Sequence, residues 1–160
     1  MGASNVHVRG ELAFLSVGAE LLVVDVANPT AAHVVGARTT SGAAKDVFVE
    51  GDHAYVAADF AGLVVIGIAD PARLSDVGRV PQPPRPPARG VASAVRVADG
   101  RAYVANGDAG LWVLDVGDPA GRRLLLPEEI GLEGLHAGRR QEDRRLVDRG
   151  HQGGRGDDLV

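Results

Sequence analysis

Gly110-Leu111-Trp112-Val113-Leu114-Asp115-Val116 is an apolar run too short to cross a membrane, closed soon after by Asp118-Pro119. Its composition is that of a β-strand covered on both faces. Just upstream lies Ala102-Tyr103-Val104-Ala105, with a polar turn between the two runs. The same order occurs twice more. Ala54-Tyr55-Val56-Ala57 leads to Gly62-Leu63-Val64-Val65-Ile66-Gly67-Ile68-Ala69-Asp70-Pro71, and Ala13-Phe14-Leu15 leads to Leu21-Leu22-Val23-Val24-Asp25-Val26-Ala27-Asn28-Pro29. The period is about 42 residues for the first step and about 48 for the second, a length that marks stacked or radial repeats.

Four strands fit within a period. In the second unit they are Asp46 to Val49, His53 to Ala57, Leu63 to Ile68 and Leu74 to Val80. Glu50-Gly51-Asp52 and Ala98-Asp99-Gly100 join the first two strands of a unit as hairpins, because glycine takes the positive φ such turns need. The Asp-Pro and Asn-Pro pairs end the third strand, since proline cannot donate to a ladder and restricts the residue before it. Four strands per period suit a propeller blade better than the shorter turn of a β-solenoid. The expected fold is therefore all-β. It is a partial propeller of about three four-stranded antiparallel blades, over residues 5–39, 45–80 and 94–126, followed by an irregular or weakly helical C-terminal tail. The runs Leu21 to Val26, Leu63 to Ile68 and Leu111 to Val116 are expected to be the most buried. Phe14, Tyr55 and Tyr103 share one position in the unit and should pack between blades.

Gly62 to Ile66 and Gly110 to Val116, each preceded by Ala-Tyr-Val-Ala, resemble the LVIVD repeat, whose units are similar to β-propeller blades. The resemblance spans residues 5–119. It departs at Gly67, which stands where Asp25 and Asp115 carry the namesake aspartate, and at Glu20, which stands where Gly62 and Gly110 lie in the later units. The resemblance implies a bacterial or archaeal protein, often at the cell surface or secreted, and implies no particular activity.

Composition narrows the function. With 45% hydrophobic but only 4% aromatic residues in 160, the core must be built from Val, Leu, Ile and Ala. A net charge of -4 argues against a nucleic-acid footprint. The chain has no cysteine, which removes disulfides, thiolate metal sites and cysteine nucleophiles and leaves the compartment open. There is no signal-peptide pattern at the start and no membrane span. Residues 81–89, beginning Pro81-Gln82-Pro83-Pro84-Arg85, read as a stiff polyproline loop, although the spelling also matches ligands of SH3-type grooves. Residues 127–160 lose the strand pattern and read as a charged, low-complexity, disordered tail. The pattern stops where a fourth strand of the third blade is due, as it would in a fragment or a frame-shifted reading of further repeats.

No catalytic, cofactor-binding or metal site is expected. Ser4, Ser16, Ser41, Ser75 and Ser93 lack a nucleophile-elbow context, and His7, His33, His53, His136 and His151 are too scattered to gather a metal. Asp59 and Asp108, in corresponding turns, could converge on one propeller face to hold a cation, but aspartate beside a glycine turn more often caps its own backbone. Arg155-Gly156-Asp157 spells an adhesion tripeptide in a tail rich in those residues. The expectation is a non-enzymatic interaction module, with a protein partner or self-association through exposed blade faces. The alternative is a fragment of a propeller hydrolase or lyase whose active-site blades are missing. Val6, Val8, Leu12 and Phe14 at one end and Leu111, Trp112 and Leu114 at the other are as apolar as the middle unit, so neither end is expected to be capped.

Overall fold

A computed structural model describes residues 2–82 and 90–117, together with the backbone of 123–125. The Pro-rich segment from 83 to 89 and the tail from 126, with its tripeptide, His136 and His151, lie outside the described residues. Among the described residues twelve strands form three antiparallel sheets of four, each in sequence order. The first holds β1 (Ala3–Arg9), β2 (Leu12–Val17), β3 (Glu20–Asp25) and β4 (His33–Thr39). The second holds β5 (Asp46–Glu50), β6 (His53–Ala57), β7 (Leu63–Gly67) and β8 (Ser75–Val80). The third holds β9 (Ala94–Ala98), β10 (Arg101–Ala105), β11 (Leu111–Asp115) and the short β12 (Arg123–Leu125). The first strands β1, β5 and β9 lie side by side, so the sheets radiate from one edge as propeller blades do.

The hairpins follow their sequences. Asp99 and Gly100, at φ 52 and 71, make a two-residue turn with both centres left-handed, and Gly10 and Gly51 open the corresponding turns of the other sheets at φ 61 and 54. The β2–β3 connection explains Glu20. In the first sheet two residues, Gly18 and Ala19, close the Val17–Glu20 pair. In the others three residues intervene, and the loop closes by Ala58 N–H to Gly62 O and Asn106 N–H to Gly110 O, both 2.8 Å. The longer loop ends left-handed, at φ 83 in Gly62 and 77 in Gly110, which glycine takes without strain; the shorter one has no such need at Glu20. The namesake aspartate has a local task. The Oδ1 atoms of Asp25 and Asp115 accept from Ala27 N–H at 2.9 Å and Gly117 N–H at 3.0 Å, closing turns where the strand ends. In the second sheet Gly67 pairs with Ser75 instead, and a Cβ there would lie 2.5 Å from the Ser75 hydroxyl.

Two cores lie between the three sheets, because alternate residues of a strand point to opposite faces. Phe14, Leu21 and Val23 of the first sheet meet Val47, Val49, Val56, Val64 and Ile66 of the second. Tyr55, Leu63 and Val65 on the other face of the second sheet meet Val95, Val104, Trp112 and Leu114 of the third. The middle sheet is thus covered on both sides, and β6 is as buried as β7. The expectation that the third strands are the most buried holds for β7 and is corrected in the two end sheets. In β3 only Leu21 and Val23 are buried, because its alternate residues face away from the middle sheet, and in β11 Leu111 is 49% exposed while Trp112, Val113 and Leu114 are buried.

Ser16 occupies the position held by Ala57 and Ala105 in the other sheets, as the registers of β2, β6 and β10 align. It is fully buried and its hydroxyl has no hydrogen-bond partner. Ser16→Ala should therefore stabilise the fold by about 1 kcal/mol, read as a raised urea midpoint with unchanged slope.

Candidate interaction surface

The inner edge repeats one position three times. His7 pairs with Phe14, Phe48 with Tyr55 and Arg96 with Tyr103, so His7, Phe48 and Arg96 are equivalent residues on β1, β5 and β9. They form an arc. The His7 and Phe48 rings meet edge to face at 5.1 Å, and the Arg96 guanidinium lies 5.9 Å from the Phe48 centroid. Beneath the arc, buried Asp46 joins the second sheet to the third. Its Oδ1 accepts from Val47 N–H at 2.9 Å, and its Oδ2 accepts from Val95 N–H at 2.9 Å and from the Arg96 guanidinium at 2.8 Å. A first strand has one edge without a ladder partner, and Asp46 satisfies one amide there. Asp46→Ala would leave the Val95 amide unpaired at a cost of about 2 kcal/mol, while Asp46→Asn, which keeps an acceptor, should cost less; chemical denaturation of both variants measures the difference.

Burial, reinforced by the neighbouring Arg9 and Arg96 charges, lowers the pKa of His7 below its ordinary value near 6.5, with Asp46 opposing. The folded state therefore binds this proton less readily than the unfolded chain. Stability from this group is intact above about pH 6.5 and falls as pH drops toward the depressed folded value, below which the penalty is complete. The melting temperature should fall between about pH 7.5 and 5.5. His7→Phe, the residue the second sheet carries there, should flatten the contribution.

One end of the sheets is stitched by polar groups. Asp59 is left-handed at φ 53, exchanges backbone hydrogen bonds of 3.1 Å with Ala92, and lies 3.4 Å from the Lys45 ammonium. The Gln82 and Asn106 amides pair reciprocally, at 2.6 and 2.9 Å, with Asn106 buried. A Cβ on Gly90 would come within 2.1 Å of the Gln82 side chain, so Gly90 lets the chain cross this pair. The residue corresponding to Asp59 is not Asp108. It is Gly107, left-handed at φ 52, which places Asp108 one position further on, in an exposed 3-10 turn, Gly107–Ala109. Among the described residues no three His, Asp or Glu side chains are grouped closely enough to hold a metal ion.

The remaining candidates are dispersed. His33 lies on β4, and His53 stands beside Tyr55 with ring centroids 6.3 Å apart. Ser4 and Ser75 are exposed, Ser41 sits in a bend at φ 60, and the Ser93 hydroxyl donates to Ala105 O at 3.2 Å. At the outer edge Arg38 of β4 forks onto Asp76 of β8, its Nε donating to Oδ1 at 2.8 Å and its second nitrogen to Oδ2. These hydrogen bonds hold the Asp76 carboxyl below its usual pKa and raise that of Arg38. Both partners are well exposed, so the pair adds little stability. The shallow polar cleft beside it is lined by Glu20, Arg38, Thr39, Ser41 and Asp76.

The outer face of the first sheet carries exposed apolar residues. Register puts Val6, Leu15, Leu22 and Ala37 in one row, and Val8, Ala13, Val24 and Val34 in the next. Val6, Val8 and Val34 are 56%, 60% and 55% exposed. The uncapped-end expectation holds for Val6, Val8 and Leu111, but Phe14, Trp112 and Leu114 are buried against the middle sheet. Sequence alone could not divide these residues, because no local signal says which of two alternating faces has a neighbour. No helix among the described residues is long and apolar enough to cross a membrane.

Comparison with curated proteins gives no match. The family model described as LVIVD repeat matches three times, at residues 2–40, 41–81 and 89–125, one match to each sheet with no strand exchanged between units. With most of its length in these matches and a blade built by each, the chain belongs to the LVIVD repeat family.

Proposed function

We propose that this repeat module is a non-enzymatic interaction module, working at the cell surface or outside the cell. One observation carries the reading. The valine face of the first sheet is built like faces that are buried elsewhere in the chain, yet stands open, and apolar patches of this kind mark contact surfaces. Chemistry within the sheets points the same way, since Asp46 is taken up by two backbone amides and Arg96, and Asn106 by Gln82.

The test is twofold. Purified chain should give no turnover on ester, phosphoester and glycoside chromogens or on uronate polysaccharides, the last reporting lyase chemistry by absorbance of the unsaturated product. Turnover that co-purifies with the chain and is lost in Asp46→Asn or Lys45→Ala protein would overturn the reading. Fractionation of source cells with surface-accessible protease should degrade the chain in intact cells; full protection would remove the extracellular part.

A further inference from the structure

The two interfaces inside the chain obey one rule. The face carrying the aromatic position packs on the valine-rich face of the following sheet: Phe14, Leu21 and Val23 on Val47, Val49 and Val64, then Tyr55, Leu63 and Val65 on Val95, Val97 and Trp112. Register extends both series to the ends. The first sheet's open residues Val6, Val8, Leu22 and Val24 are equivalent to Val47, Val49, Val64 and Ile66. The third sheet's outward residues Arg96, Tyr103, Leu111 and Val113 are equivalent to Phe48, Tyr55, Leu63 and Val65. So the first and third sheets present one valine-rich face and one aromatic face, the two halves of an interface the chain already makes twice.

We propose that the Tyr103 face of one copy packs on the Val6, Val8 and Val34 face of a second, and that two such contacts close a six-bladed ring from two chains. The proposal rests on the interaction-module reading and names its partner as a second copy of this chain. Propellers close with about four to eight blades, and six is the one multiple of three in that range. A two-fold axis then makes both contacts identical. The inner arc also continues: Arg96 would stand beside His7 of the second copy as Phe48 stands beside His7 within one. Val113 is already 2% exposed, so new burial on the third sheet falls mainly to Tyr103, Leu111 and the stem of Arg96.

Size exclusion with light scattering on the full chain should give about twice the 16.5 kDa chain mass. Val8→Lys and Tyr103→Glu should each yield monomer, with cooperative melting showing that each still folds; Val34→Lys replaces Val8→Lys should that variant not fold. Mixing the Val8→Lys and Tyr103→Glu proteins should restore a dimer, because each retains the face the other lacks. The chain has no cysteine, so a short bis-maleimide should join His7→Cys to Arg96→Cys chains when the two are mixed. His7→Cys/Phe48→Cys within one chain is the positive control. A wild-type monomer overturns the ring, as does a dimer indifferent to Tyr103→Glu, which would mean that two valine faces meet each other. Polydisperse growth overturns closure. A monomer without turnover sinks the ring and spares the interaction module; turnover sinks the module whatever the mass.

Discussion

Val65→Asp should abolish cooperative folding. Val65 is fully buried at the centre of the middle sheet, on the face that meets Val95, Val104 and Trp112. The side chains packed around it, Val95, Val104, Trp112 and Leu114 among them, are hydrophobic. The variant loses the transfer energy of a valine, about 2 kcal/mol, and must either bury an unpaired charge or protonate it at several kcal/mol more. A domain of this size holds only about 5–15 kcal/mol in total. A flat thermal melt with loss of the β-sheet circular dichroism signal is expected. Phe60→Asp, at a loop residue 65% exposed, is the control and should melt within a few degrees of wild type. A normal melt for Val65→Asp would contradict the packing of the second sheet on the third.

Gly36→Ala should destabilise by about 3 kcal/mol, at the upper end for overpacking. Gly36 lies on β4 beside the register shift at Val23 and Val24, where the first sheet's outer strand meets the loop of the second. A Cβ there would lie 2.0 Å from the Pro71 carbonyl oxygen and 3.5 Å from the Leu74 side chain. The nearest obstacle is backbone, and Pro71 cannot swing aside as a long side chain would. Relief requires separating β4 from the Pro71 loop, which also opens the packing of Leu74 and the Arg38–Asp76 pair. Denaturant unfolding should show a lowered midpoint. Gly2→Ala, with nothing within 4 Å of the new methyl, should be neutral. Equal midpoints for the two variants would mean that the two sheets approach less closely at this edge.

The blade pattern was legible in the sequence because it is local: alternation sets strands and Gly51 and Gly100 set hairpins, whereas the strand ends credited to the Asn-Pro and Asp-Pro pairs fall earlier, at Asp25 and Asp115, which close turns through hydrogen bonds two residues on. Phe14 and Tyr55 read correctly as inter-blade residues for the same reason, since a repeated position in a repeated unit meets a repeated neighbour. Asp46 was read only as the start of a strand. Its counterparts are Asn5 and Ala94, so it breaks the repeat, and its partners at Val95 and Arg96 are about fifty residues away. Asp59 and Asp108 do lie in corresponding turns, but backbone conformation matches Asp59 to Gly107, a one-position offset that the sequence does not show.

By itself, then, the sequence determined three four-stranded units, their hairpins and their family. Tertiary structure decided which face of each unit is covered. Val6 and Val8 occupy the same register as Val47 and Val49 and have the same side chains, yet the first pair is more than half exposed and the second is buried. Alternation fixes that two faces exist, and only the arrival of a neighbouring sheet, made of residues some forty positions away, fixes which of them leaves water.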